Sequence, residues 1–160
     1  MGDDATVRAQ LTPYLFYEDV PAALEWLGRA FGFRERMRMT EPEGTVTHAE
    51  MELGNAVIMM GCPGPEYRNP KRLGQATLGL YVNIDDVDAH HDKARAAGAT
   101  IQAELEDKPY GDRVYGVLDP EGHQWWFAQT QRAVDAEEME RAYAEQGREA
   151  RVQMQSSDVR

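Results

Sequence analysis

Cysteine is nearly missing from this chain: Cys62 is the only one. No internal disulfide and no thiolate metal cluster can form, and a lone thiol most often serves as a small apolar side chain. Long apolar runs are missing too; no stretch approaches the roughly 18 residues that a membrane helix needs. The opening MGDDATVRAQ is acidic and has no apolar centre, so it does not read as a secretory signal, and the expected location is cytoplasmic. Basic residues are scarce beside acidic ones, 17 against 28, for a net charge of −11. Such a surface repels phosphate backbones. The short basic stretch Arg68–Arg72 lies among prolines and glycines and reads as a solvated connector. Neither nucleic acid nor a membrane is therefore expected as a partner. No Ser–His–Asp pattern or phosphate loop appears, and GLYVNIDD lacks the glycines of a dinucleotide site.

What is present suits a soluble globular protein: 160 residues, 42% hydrophobic, enough for one domain or two small modules sharing a core. LTPYLFYEDV (Leu11–Val20) predicts a strand followed by a helix start, with Asp19 as cap and Pro21 in the first turn. Ala23, Leu24, Leu27, Ala30 and Phe31 then make one apolar helical face, and Gly32 ends it. FRERMRM, THAEMEL and NAVIMM follow as short strands, punctuated by EPEG and GN turns. GCPGPEYRNPKRLGQ breaks the pattern with three prolines and three glycines. After it the order repeats: a strand in ATLGLYVNIDDV, a helix in VDAHHDKARAAGA, then TIQAELE, DRVYGVL and HQWWFAQ, with DPEG as a turn. Asp19-Val20 corresponds to Asp86-Val87, and Gly32 to Gly98.

The predicted organisation is α+β, two copies of strand–helix–strand–strand–strand. A flexible N-terminus covers 1–10, the first module 11–61, a linker 62–75, the second module 76–130, and a polar helix or tail 131–160. Glu137, Glu138, Glu140 and Arg141 give the tail a charged exterior, with Met139 and Tyr143 as a thin apolar side.

A tandem repeat of this kind, with HAEMELGNAVIMMG and PYGDRVYGVLDPEGHQWWFA as its most specific segments, resembles the vicinal oxygen chelate superfamily of glyoxalases, bleomycin-resistance proteins and extradiol dioxygenases. The similarity spans about Leu11 to Gln129 and is closest to the glyoxalase-like subgroup, in which Tyr-Gly-x-Arg precedes Asp-Pro-x-Gly-His-x-Trp. It implies that the strands curl into a cup-shaped mixed sheet, with helices on the convex side and a small ligand on the concave side. It also implies a homodimer. Metal-dependent members take His and Glu ligands from four strands. Those positions fall here near Thr12, Met59, Gly79 and Trp126, and the windows two residues either side contain no His, Asp, Glu or Cys. A divalent site needs about three such donors. No cofactor is expected, although a divalent metal held by other residues is left open.

His48, Glu50 and Glu52 share one strand face, opposite Ala49, Met51 and Leu53. The apolar set belongs against the helix, which sends His48 and Glu50 toward the cup. There they are an acid/base pair, ligand contacts, or a solvated strand face with a His–Glu contact. Glu52, nearest the turn, is expected to be exposed. Tyr14 and Phe16 share a face on the first strand, Tyr81 and Asn83 on the fifth, and Gln124 and Trp126 on the last. Met59 or Met60, but not both, adds a soft wall. Tyr110 is placed to close the pocket mouth. Arg113 either clamps an anion by a forked contact or forms a structural ion pair. His123 is expected to anchor the DPEG turn, and of His90 and His91 one is expected to be exposed.

Three functions fit. The first is a metal-free binding protein that sequesters a small aromatic or apolar molecule. The second is a lyase, isomerase or dioxygenase-type enzyme using His48 and Glu50 as acid–base or metal-binding groups. The third is an interaction module that uses the acidic tail.

Overall fold

The structure, a computed structural model, describes residues 9–157, and side-chain surroundings as far as residue 149. The flexible N-terminus expected over 1–10 therefore lies almost wholly outside the described residues. The elements are β1 (Tyr14–Phe16), α1 (Val20–Phe31), β2 (Arg34–Thr40), β3 (Val46–Leu53), β4 (Ala56–Gly61), α2 (Pro70–Leu73), β5 (Gly79–Asn83), α3 (Val87–Ala96), β6 (Thr100–Asp107), β7 (Asp112–Leu118), β8 (Gln124–Thr130) and α4 (Ala136–Ser157). The α+β expectation holds: two four-stranded mixed sheets share one plan, β1-β4-β3-β2 and β5-β8-β7-β6. In each, the first strand pairs parallel with the last, and the other pairs are antiparallel.

Local chemistry fixes the repeated helices as the sequence predicts. Asp19 accepts from the Ala22 N–H at 3.0 Å, and Asp86 from the Ala89 N–H at 2.9 Å. Each thus satisfies one of the orphan donors of a first turn. Gly32 ends α1 in the left-handed conformation, with φ 80°. α2 was not anticipated; its four residues sit inside the predicted linker, capped by Asn69.

One apolar core serves both modules. Leu15, Leu27, Ala49, Met51 and Met60 of the first module join Val87, Tyr115, Val117, Trp125 and Phe127 of the second. Phe31, at the end of α1, crosses between them, with its ring 4.7 Å from Phe127 and 5.4 Å from Trp125. α1 and α3 pack against each other. Successive strand residues point to opposite sheet faces, so burying these helix-side residues in a common core turns the other face of each sheet away from it. The faces that carry the other side chains therefore look away from this core.

His90 and His91 depart from expectation because α3 lies in this core. His91 is 7% exposed and His90 half-buried, its Nδ1 2.6 Å from the Tyr115 hydroxyl and its Nε2 3.0 Å from the Phe31 carbonyl. Burial holds the His90 imidazole below its usual pKa.

The DPEG turn clasps the modules together. The fully buried Asp119 carboxylate accepts from the Tyr17 hydroxyl at 2.7 Å, the Trp125 indole at 3.2 Å, and the backbone N–H groups of Glu121 and His123 at 3.1 and 3.0 Å. His123 turns its Nδ1 to the same carboxylate, the anchoring role its place after the turn suggested. Glu121 accepts from the N–H groups of Glu18 and Asp19. Gly122, at φ 89°, lets the turn meet α2: a Cβ there would lie 2.6 Å from the Lys71 nitrogen.

Asp119→Ala leaves several buried donors without a partner and is expected to cost about 3–5 kcal/mol, read as a lower urea midpoint; an unchanged midpoint contradicts the clasp. Burial, followed by the Asp119 charge, holds the Tyr17 phenol well above its usual pKa. The folded state thus keeps this proton more tightly than the unfolded chain. Its contribution is complete below about pH 10 and is lost as pH rises beyond. Tyr67, Tyr81 and Tyr115 shift the same way. Tyr17→Phe should lower stability at neutral pH and make the alkaline loss shallower without abolishing it, as followed by melting temperature from pH 8 to 11.

Candidate functional site

The outward face of the first sheet assembles most of the residues predicted for it. Ala49 and Met51 are buried against the helix, which places His48, Glu50 and Glu52 on the concave side. Register lines up Tyr14, Met59 and Glu50 across three strands, so Met59 is the wall-forming methionine, and Met60 is fully buried behind it. The Tyr14 hydroxyl lies 3.1 Å from His48 Nδ1, and the two rings are 5.6 Å apart. Phe16 sits 5.5 Å from Tyr14 and edge-on to Tyr67, whose hydroxyl donates to the Phe16 carbonyl.

The His48–Glu50 pair is looser than its spacing suggested. Nε2 and Oε1 are 3.5 Å apart, at the limit of a hydrogen bond. Glu50 also takes Arg36 at 3.3 Å. Glu52 is half-buried rather than exposed, because Arg34 and Arg36 both hold it, yet at 23% its side chain is as open as that of His48 and more open than that of Glu50. The exposed strand RERMRM carries these arginines across from the acidic face, a complementarity the alternating charges of β2 and β3 could have revealed. His48, bonded to a phenol, is the group here best placed to exchange a proton or to bind a ligand hydroxyl.

The second sheet presents Tyr81, Trp126 and Gly116 in register across β5, β8 and β7. Trp126 lies flat on the space that Gly116 leaves; a Cβ there would fall 2.7 Å from the ring. Tyr81 donates to Asp112 at 2.7 Å, and burial with that bond pushes its phenol far up. Tyr110 stacks on Tyr143 of α4, with ring centroids 6.3 Å apart and planes 9° apart, at the edge of this face. Tyr143 is an addition that sequence reasoning left in the tail.

Arg113 does not join them. Its neighbour Asp112 faces the concave side, and alternation sends Arg113 to the helix side. There Asp88 of α3 and Asp107 hold it in a fork at 2.9–3.2 Å. Of the two roles its sequence allowed, the structure supplies the ion pair.

The positions at which the resemblance implies metal ligands carry a hydroxyl, a thioether, a glycine and an indole at Thr12, Met59, Gly79 and Trp126, a donor set that does not fit a divalent cation. Among the described residues, no three His, Cys, Asp or Glu side chains gather as a metal would require.

Gly116→Ala should drive the Trp126 ring off the sheet, costing about 1–3 kcal/mol and altering the near-ultraviolet circular dichroism. A variant with native stability and spectrum contradicts the flat packing.

Comparison with known proteins agrees with this architecture. A sequence model of the Glyoxalase/Bleomycin resistance protein/Dioxygenase superfamily matches residues 8–127. An uncharacterized protein of Mycobacterium tuberculosis is 31% identical over 153 residues, covering 91% of this chain and 90% of that one. The crystal structure of TioX from Micromonospora sp. ML1 is 36% identical, with a TM-score of 0.65, and covers 77% of this chain and 99% of its own. A bleomycin-binding protein crystallised with bleomycin, 18% identical with a TM-score of 0.58, covers 76% and 98% and shares the fold. The repeated βαβββ plan and the sequence match over three quarters of its length make this chain a member of the glyoxalase/bleomycin resistance/dioxygenase superfamily.

Proposed function

We propose that the protein acts in the cytoplasm as a metal-free binder of a small aromatic or apolar molecule, held between the concave faces of two copies of the chain. The observation that carries this is the chemistry left exposed on the outward faces. Tyr14, Phe16, Met39 and Tyr81 are each about half exposed in the single chain (45, 46, 55 and 49%), beside Trp126 and Met59. Flat rings and thioethers stack on or mould to an apolar ligand, and a few polar groups orient it. A two-fold pairing that set the first module of one copy against the second module of its partner would close two equal cups. The fold admits such a use, since the bleomycin-binding protein was crystallised with its ligand. Sequestration requires shape and stacking, which this face offers, and no Lewis acid.

The Tyr14–His48 contact favours a second reading, proton chemistry on a bound substrate without a metal. His48→Ala separates the two. Sequestration predicts weaker binding and an unaltered compound in both proteins; catalysis predicts a product that disappears in the variant.

In solution the protein is expected to have twice the mass of its 18.1 kDa chain. Trp125 is fully buried and Trp26 nearly so, which leaves Trp126 as the indole open to a ligand. Titration with bleomycin and a panel of planar aromatic antibiotics should find at least one compound that quenches tryptophan fluorescence. Trp126→Phe should remove the quenching, and Tyr14→Ala should weaken binding roughly tenfold. A monomer indifferent to every compound would refute the proposal.

A further inference from the structure

A cavity of about 450 Å³ opens where the linker meets the second sheet. It is lined by Thr100, Gln102, Leu118 and Gln124 of the sheet and by Pro70 and Gln75 on the linker side. The linker side is held in place, because the Lys71 N–H donates to the Glu121 carbonyl at 2.9 Å and Asn69 bonds to the Glu121 carboxylate at 3.1 Å.

The chemistry of the cavity is neutral and paired. Gln124 Nε2 donates to Gln102 Oε1 at 3.2 Å across Leu118. Whichever way two amides are turned, one N–H and one carbonyl make that bond, and the other carbonyl oxygen and NH2 group are left over. The amide pair thus offers both an acceptor and a donor on one wall, with the Thr100 hydroxyl and the Gln75 amide beside it, a pattern that an amide or lactam edge complements. Asp119 also lines the space, but its carboxylate is taken up by Tyr17, Trp125, His123 and the Glu121 N–H. Lys71 stands at the rim and is exposed.

Gly79 lies between Gln124, which lines the cavity, and Trp126 of the aromatic wall. A Cβ at Gly79 would lie 3.6 Å from the Trp126 pyrrole atoms and 3.7 Å from Gln124 Oε1. Its missing side chain keeps open the floor between the two groups. Trp126 and Gln124 are two apart on β8, hence on one face and about 7 Å apart.

We infer that the ligand is a neutral aromatic carboxamide or lactam, its ring on Trp126 and its amide edge on the Gln124–Gln102 pair. This rests on the proposed use of the concave face and adds the class of molecule that face selects. A site built to meet an N–H discriminates against an analogue that lacks it, because the partner group is left unpaired.

The test is calorimetric titration of the native protein with three probes of one shape: 2-naphthamide, 2-acetylnaphthalene, which lacks the N–H, and the anion 2-naphthoate. The amide should bind about tenfold or more tightly than the ketone. In the double variant Gln102→Leu/Gln124→Leu that preference should vanish, amide affinity falling further than ketone affinity, while the melting temperature stays as in the native protein. If amide and ketone bind equally, or if naphthoate binds tightest through Lys71, the aromatic face stands and the amide inference is overturned. Should the double variant fail to fold, the three-probe ranking on the native protein decides alone. If no probe binds, the concave-face reading falls and takes this inference with it.

Discussion

The buried Asp119 carboxylate is the interaction on which the rest of the molecule depends. Two βαβββ modules of about fifty residues each bury little apolar surface alone. They are held as one body because a charge from the second module's last turn takes the phenol of Tyr17 from the first and the indole of Trp125 beneath it. The same turn receives the backbone of Glu18 and Asp19 through Glu121, and rests on α2 through Gly122. A buried carboxylate is costly unless its oxygens are satisfied, and here each oxygen has at least two donors.

This clasp decides where the open sheet faces point. With Phe31 wedged among Trp125, Phe127 and His90, the helix sides of both sheets are consumed in one core. What faces outward is the polar and aromatic set: Tyr14, His48 and Glu50 on one side, Tyr81 and Trp126 on the other. Local bonds preset both surfaces. Arg36 fixes the acidic row, Tyr14 orients His48, and Gly116 lets Trp126 lie flat. Aromatic groups fixed before a ligand arrives lose less freedom on binding.

Much of the fold was legible in the sequence because local rules and the global pattern agree. Asp19 and Asp86 cap helices, Gly32 ends one, and the alternation through THAEMEL separates a buried from an open face. The side of each strand that carries His48, Glu50, Met59, Tyr81 and Trp126 followed from the same period of two. What could not be read depends on contacts between distant segments. Arg113 went to Asp88 because α3 crosses behind β7, and Glu52 was drawn in by two arginines of a neighbouring strand. His90 was buried by the end of a helix 59 residues away. No spacing rule records that the two modules share their convex sides, so the outward aim of the faces emerged only with the packed core.

The central claim is that one ligand lies between the first module of one copy and the second module of another. Mixing chains that carry Tyr14→Ala with chains that carry Trp126→Ala tests it most directly. Each variant alone damages every cup. In a mixed dimer, one cup receives both lesions and the other receives neither. The account predicts that re-associated mixtures regain one native-affinity site per mixed dimer, counted by calorimetry with a compound that binds the native protein. A mixture that binds no better than either variant alone would contradict it.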